Sequence, residues 1–200
     1  MNKLMKPDRL CILTDGIYAI VITLLVLDLK PPQIPGISNR ELMQDLAALL
    51  PNFKAYIVAF TILAKFWIKH HNIFNQLKAC DSKMVFLNFM HILFISLVPF
   101  TSSLVGRYRH DEVSIILFIA NLCLVGFFMS SLKWYALRDA GQVDERARKV
   151  WASEPWYRRF TYTFITVAAI PCSFLSHDLA LGLTFIAPFA ASHVERKWQV

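Results

Sequence analysis

Residues 10–29 read LCILTDGIYAIVITLLVLDL, with Lys3, Lys6 and Arg9 before them and Pro31, Pro32 and Pro35 after. At a helical rise of about 1.5 Å per residue this stretch matches the roughly 30 Å hydrocarbon thickness of a bilayer, and prolines stop a helix where it would emerge. The basic start resembles a signal peptide. The apolar part is too long for one, however, and is interrupted by Asp15 with no small-x-small cleavage site after it, so the segment is expected to be retained. Asp15 then lies near bilayer depth. Exposure of a carboxylate to lipid costs several kcal/mol, so Asp15 needs a protein partner.

At about 100° per residue, Ile20, Thr23, Leu24 and Leu27 fall on one helix face, continued downward by Leu13 and Gly16, while Thr14 and Asp15 point elsewhere. A branched apolar stripe with one hydroxyl could line a constriction. Ordinary helix packing produces the same i, i+3, i+4, i+7 pattern.

The remainder repeats the membrane theme. The chain is 56% hydrophobic and 18% charged, against about 45–50% and about 25% in soluble domains. Six spans are read, over 10–29, 49–69, 84–105, 113–132, 160–175 and 179–193, as one all-α membrane domain covering residues 1–200. Residues 133–159 are the one long polar loop between them, with helical ends; Asp139, Asp144, Glu145 and Glu154 sit among its basic residues, and Trp134, Trp151 and Trp156 serve as interface anchors. Pro171 and Pro188 interrupt the last two spans, which meet at a turn through Ser176, His177 and Asp178.

Six spans place both termini on one side. Of the 21 Lys and Arg residues, 15 fall in the termini and the second and fourth loops, counting Lys69 at the end of the second span with its loop, against 4 in the loops of the opposite side. The positive-inside rule therefore puts both termini in the cytoplasm of a multi-pass protein of the cell membrane. This placement accounts for the net charge of +7 by topology and lipid contact, with no nucleic-acid partner.

Several chemistries are excluded. Cys11, Cys80, Cys123 and Cys172 form no C-x-x-C pair, and His70 and His71 point about 100° apart with no carboxylate or Cys at ligand spacing beside them, so no metal site or cofactor is expected. Neither G-x-S-x-G nor H-E-x-x-H appears, which argues against an enzyme. Val105-Gly106-Arg107-Tyr108 carries an Arg where a carbonyl filter for cations would repel the ion, and the fourth span lacks the repeated arginines of a voltage sensor. His91 and Asn121 read as single polar residues bonding across helices.

The segment Arg9-Leu-Cys-Ile-Leu13-Thr14-Asp15 resembles the Arg-x-x-x-Phe-Ser-Asp signature opening the first helix of the transmembrane protein 175 family, potassium channels of lysosomes with shorter prokaryotic relatives. Leu13 stands for the signature Phe and Thr14 for its Ser. Leu50-Pro51, Ala55-Tyr56, Phe66-Trp67, His70-His71, Asp81, Leu87-Asn88 and Pro99-Phe100-Thr101 are also similar to that family. The resemblance implies a potassium-selective homo-oligomer, a tetramer, with the first helix of each subunit lining a central pore. It makes Ile20 the narrowest ring and a hydrophobic gate, Leu24 and Leu27 further apolar rings, and Thr23 a hydroxyl layer. The expected partners are potassium ions, membrane lipid and copies of the chain. A buried Arg9, Thr14 and Asp15 would take Trp67, His70, His71 and Asn88 as partners at matching depth. A secondary transporter, or another multi-span protein in which the stripe only packs, remains the alternative.

Overall fold

The structure, a computed structural model, describes residues 6–31, 38–108, 111–138 and 143–195. Lys3, Pro32, Pro35 and Asp139 lie outside the described residues. The described residues form helices, with one isolated antiparallel bridge between Leu77 and Val143.

Helix α1 spans Asp8–Leu24 and tightens into a 3-10 turn, Leu25–Asp28. Helix α2, Asn39–Ala48, is polar enough to lie outside an apolar span; Ser38 starts it with a capping box, its hydroxyl accepting from the Glu41 N–H while Glu41 accepts from the Ser38 N–H. Helix α2 meets α3, Leu50–Phe74, at 45°. Pro51 stands in the first turn of α3, where its missing N–H costs nothing. Helix α3 runs on past Lys69 to Phe74, carrying His70 and His71 within the helix.

The expected third span is two helices, α4 (Ser82–Ser96) and α5 (Val98–Arg107), divided at Leu97 ahead of Pro99. Asp81 caps α4 by accepting from the Met84 N–H at 2.8 Å. Helix α6, Glu112–Arg138, continues through Trp134 well beyond Leu132. The polar connection then holds α7 (Glu145–Ala152) and α8 (Trp156–Arg159), followed by α9 (Thr161–Ser173) and α10 (His177–Glu195).

Among the described residues, three helical stretches are long and apolar enough to cross a membrane, or four if the bent α2–α3 pair counts as one span. Helix α9 has 13 residues, about 20 Å at helical rise, less than a hydrocarbon core.

Helix α6 is central, packing on α4, α5 and α9 and burying Phe118, Ile119, Leu122, Met129 and Leu132. Its Gly126 is required by α9: a Cβ there would sit 2.3 Å from Cδ1 of Tyr162. The polar connection is fastened by a buried ionic cluster. Lys133 donates to Glu154 at 2.7 Å, and Arg159 lies 3.7 Å from the same carboxylate oxygen while donating to the Trp151 and Glu154 carbonyls. At the surface, Asp144 is held below the usual carboxylate range by the Arg146 N–H and by Lys78.

Candidate functional site: the first helix and its anchors

Helix α1 has two chemically distinct faces. Leu10, Thr14, Tyr18, Val21 and Leu25 are buried against α3 and α4. The opposite face lies open in the single chain: Ile20 is 59% exposed, Leu24 43% and Leu27 65%, and Thr23 is exposed between them. Leu13 and Gly16 continue it downward; a Cβ on Gly16 would touch nothing. The Thr23 hydroxyl donates back to the Ala19 and Ile20 carbonyls at 3.0 and 2.8 Å, as polar groups on membrane helices commonly do.

The buried face is pinned by a relay whose proton positions follow from its members. Thr14 donates its hydroxyl proton to the Leu10 carbonyl at 2.8 Å, so its oxygen accepts from Asn88 Nδ2 at 2.9 Å. Asn88 Oδ1 can then only accept, and His70 Nε2 donates to it at 2.8 Å. One helical turn along, the Val125 carbonyl accepts from His91 Nδ1 at 3.2 Å. That leaves His91 Nε2 to accept from the Tyr18 hydroxyl at 2.7 Å. Both imidazoles, His70 and His91, are fully buried in this network. They stack with centroids 5.9 Å apart and an interplanar angle of 7°.

On the flank of α1, Trp67 Nε1 donates to Asp15 Oδ1 at 2.9 Å, and the Cys11 thiol reaches Asp15 Oδ2 at 3.7 Å. His71, a turn from Trp67 on α3, lies against that indole with ring centroids 5.7 Å apart and the planes tilted by 31°. At the far end Asp28 accepts from Ser103 at 2.8 Å and pairs with Arg107 at 3.2 Å, both on α5.

Thr14 thus meets Asn88 and, through it, His70; Asp15 meets Trp67, with His71 alongside. Arg9 departs from the expectation of a buried partner. It is exposed, because at about 100° per residue it shares the open face with Gly16, Ile20 and Leu27 rather than the buried face with Leu10 and Thr14. Sequence reasoning did not pair Tyr18 with His91 or Asp28 with Ser103 and Arg107. The only available signal for Tyr18 was its place four residues after Thr14, on the same face. Outside the spans, Cys80 is pushed up to about 11 by burial and by neighbouring Asp81, which makes it an inert thiol.

A bundle of long apolar helices, one of them tied down at both ends with its other face bare, defines an all-α integral membrane protein. The family model described as endosomal/lysosomal potassium channel TMEM175 matches residues 9–99. A potassium channel of Streptomyces collinus is 30% identical over 91% of this chain and 84% of its own length, and one of a Chryseobacterium strain is 27% identical over 91% and 90%. The chain belongs to the TMEM175 family of ion channels. A proton channel TMEM175 of Gallus gallus is 25% identical over 93% of this chain, which spans 37% of that protein. The fold matches, with a TM-score of 0.77 and 23% identity over 96% of this chain and 97% of the other, the crystal structure of a lysosomal potassium-selective channel TMEM175 homologue from Chamaesiphon minutus.

Proposed function

We propose that the chain forms a potassium-selective channel of the cell membrane as a homo-oligomer, a tetramer, with α1 of each subunit lining a central path and both termini cytoplasmic. Ile20 supplies the narrowest ring, Leu24 and Leu27 further apolar rings and Thr23 a hydroxyl layer. The six expected spans and the single-domain organisation belong to the same proposal.

The observation that carries it is the composition of the open faces. Those of the other apolar helices present phenyl rings: Phe53 and Phe60 on α3, Phe86 and Phe89 on α4, Phe100 on α5, Phe127 on α6, Phe164 on α9 and Phe189 on α10. The open face of α1 presents none, and the one aromatic of that helix, Tyr18, is fully buried. Bulky rings suit a lipid-facing surface, whereas around a symmetry axis they would fill the path. Branched aliphatic side chains leave a narrow, poorly wetted passage that both gates and sieves. Helical carbonyls are already used within α1, so selectivity comes from side chains.

Proteoliposome flux with potassium, rubidium, caesium and sodium tests the reading; potassium is expected to exceed sodium, and equal rates would count against it. Single-channel recording separates a channel from an alternating-access carrier, because unitary current steps exceed any carrier turnover.

A further inference from the structure

Cys11 and Asp15 stand four residues apart on one side of α1, and His71 approaches them from α3. One ligand atom from each, the thiol sulfur, a carboxylate oxygen and an imidazole nitrogen, lie within 4.8 Å of one another. All three residues are partly exposed. Nδ1 of His71 is buried and has no hydrogen-bond partner. The Trp67 indole occupies Asp15 Oδ1 at 2.9 Å, and Oδ2 accepts from the Cys11 thiol at 3.7 Å, a contact that loss of the thiol proton would release. An indole N–H fixing one oxygen of a carboxylate is the kind of outer contact that orients a metal ligand.

We propose that Cys11, Asp15 and His71 form a binding site for a divalent transition-metal ion of the zinc class, bridging α1 to α3. The donor set of sulfur, nitrogen and oxygen is zinc-like, and three protein ligands leave a fourth tetrahedral position for water. Bonds of about 2.0–2.3 Å place tetrahedral donors about 3.5 Å apart, so binding draws the present spacing inward slightly. On binding, the Cys11 thiol releases its proton to solvent and the thiolate forms the metal–sulfur bond. Thiolate and carboxylate together cancel the two positive charges, which suits a site at the edge of an apolar bundle. The neutral imidazole contributes its lone pair. Neither helix carries the site alone: the ion ties the first helix to its neighbour, and its effect on conduction, slower potassium flux, rests on the channel reading above.

The test uses untagged full-length protein in mild detergent, titrated with cobalt(II) and separately with zinc. Thiolate-to-cobalt charge-transfer absorption in the near ultraviolet is expected from the unmodified chain and from Cys172→Ser, whose thiol lies on α9, and is expected to vanish in Cys11→Ser. In His71→Gln the affinity should fall at least tenfold. Zinc should raise the melting temperature of the unmodified chain and of Cys172→Ser but not of Cys11→Ser. Absence of the band in the unmodified chain, or its survival in Cys11→Ser, would overturn the site. Because the band is read on the unmodified chain, poor folding of a variant cannot mimic a negative result. These readouts need no ion flux: a chain that binds cobalt as described but conducts nothing tells against the channel reading alone, and one that conducts without binding tells against the metal site alone.

Discussion

Asn88 connects three helices through one amide group. Its Nδ2 reaches Thr14 on α1 and its Oδ1 receives His70 from α3, while the residue itself sits on α4. Cross-helix hydrogen bonds in membrane bundles contribute about 0.6–2 kcal/mol each, and removing one member leaves the others buried and unpaired. Asn88→Ala is expected to lower the melting temperature in detergent clearly, whereas Ser96→Ala, which removes an exposed bond to its own helix, leaves it nearly unchanged. Ile20 tests the open face in the opposite way. Ile20→Asn is expected to wet the constriction, raise conductance and shift the reversal potential toward sodium, with the melting temperature preserved because the side chain is 59% exposed. A lower melting temperature with an unshifted reversal potential would return Ile20 to a packing role. The need of Thr14 and Asp15 for partners was legible in sequence, since neither hydroxyl nor carboxylate tolerates lipid. The sequence marked His91 as bonding across helices but named no partner, and Tyr18 gave no signal: a phenol and a lone imidazole on apolar helices, 73 residues apart, satisfy each other only when α1 and α4 are side by side.

Among the elements, α6 and α9 depend on a missing side chain. With Tyr162 Cδ1 at 2.3 Å and Cε1 at 2.7 Å from the position a Cβ would take, Gly126→Ala forces the ring or the helix to move, a cost of about 1–3 kcal/mol for overpacking. Tyr162→Phe keeps those ring atoms and should not rescue it; Tyr162→Leu should recover part of the loss, which thermal unfolding of the double variants would read. The polar connection depends instead on charge. Glu154 is buried between Lys133 and Arg159, and removing one partner of a buried ion pair costs about 3–5 kcal/mol. Glu154→Gln is therefore expected to loosen α7 and α8, seen as faster proteolysis between Arg138 and Phe160. Glu145→Gln, which breaks only an exposed i, i+4 pair with Lys149, should leave proteolysis as it is. From sequence this segment read as a polar loop with helical ends, because nothing in the spacing of Lys133, Glu154 and Arg159 marks them as neighbours.

For the whole molecule, the open face of α1 has a consequence for assembly. A single helix cannot enclose an ion path, so conduction along Ile20, Thr23, Leu24 and Leu27 requires copies of the chain around an axis. Native mass measurement in mild detergent is expected to give a tetramer; a monomer alone would end the pore assignment. Topology has its own test: tags at either terminus should be accessible from the same, cytoplasmic side of the membrane.

The all-α membrane class was written in the sequence, because a bilayer admits few backbone solutions and a chain 56% hydrophobic with recurrent membrane-length apolar stretches can satisfy its peptide groups as helices. The resemblance of residues 9–15 and of scattered residues through Thr101 carried the family. What the sequence could not decide is which side of α1 faces its neighbours and who meets whom across them. Periodicity defines a stripe but is blind to whether that stripe is packed or bare. Only the docking of α1 against α3 and α4, which buries Thr14 and Tyr18 and leaves Arg9, Ile20 and Leu27 open, fixes the rotation. The same docking brings Cys11 and Asp15 to His71, since hydrogen bonds and metal ligands are set by distances between helices, which spacing along one helix does not contain.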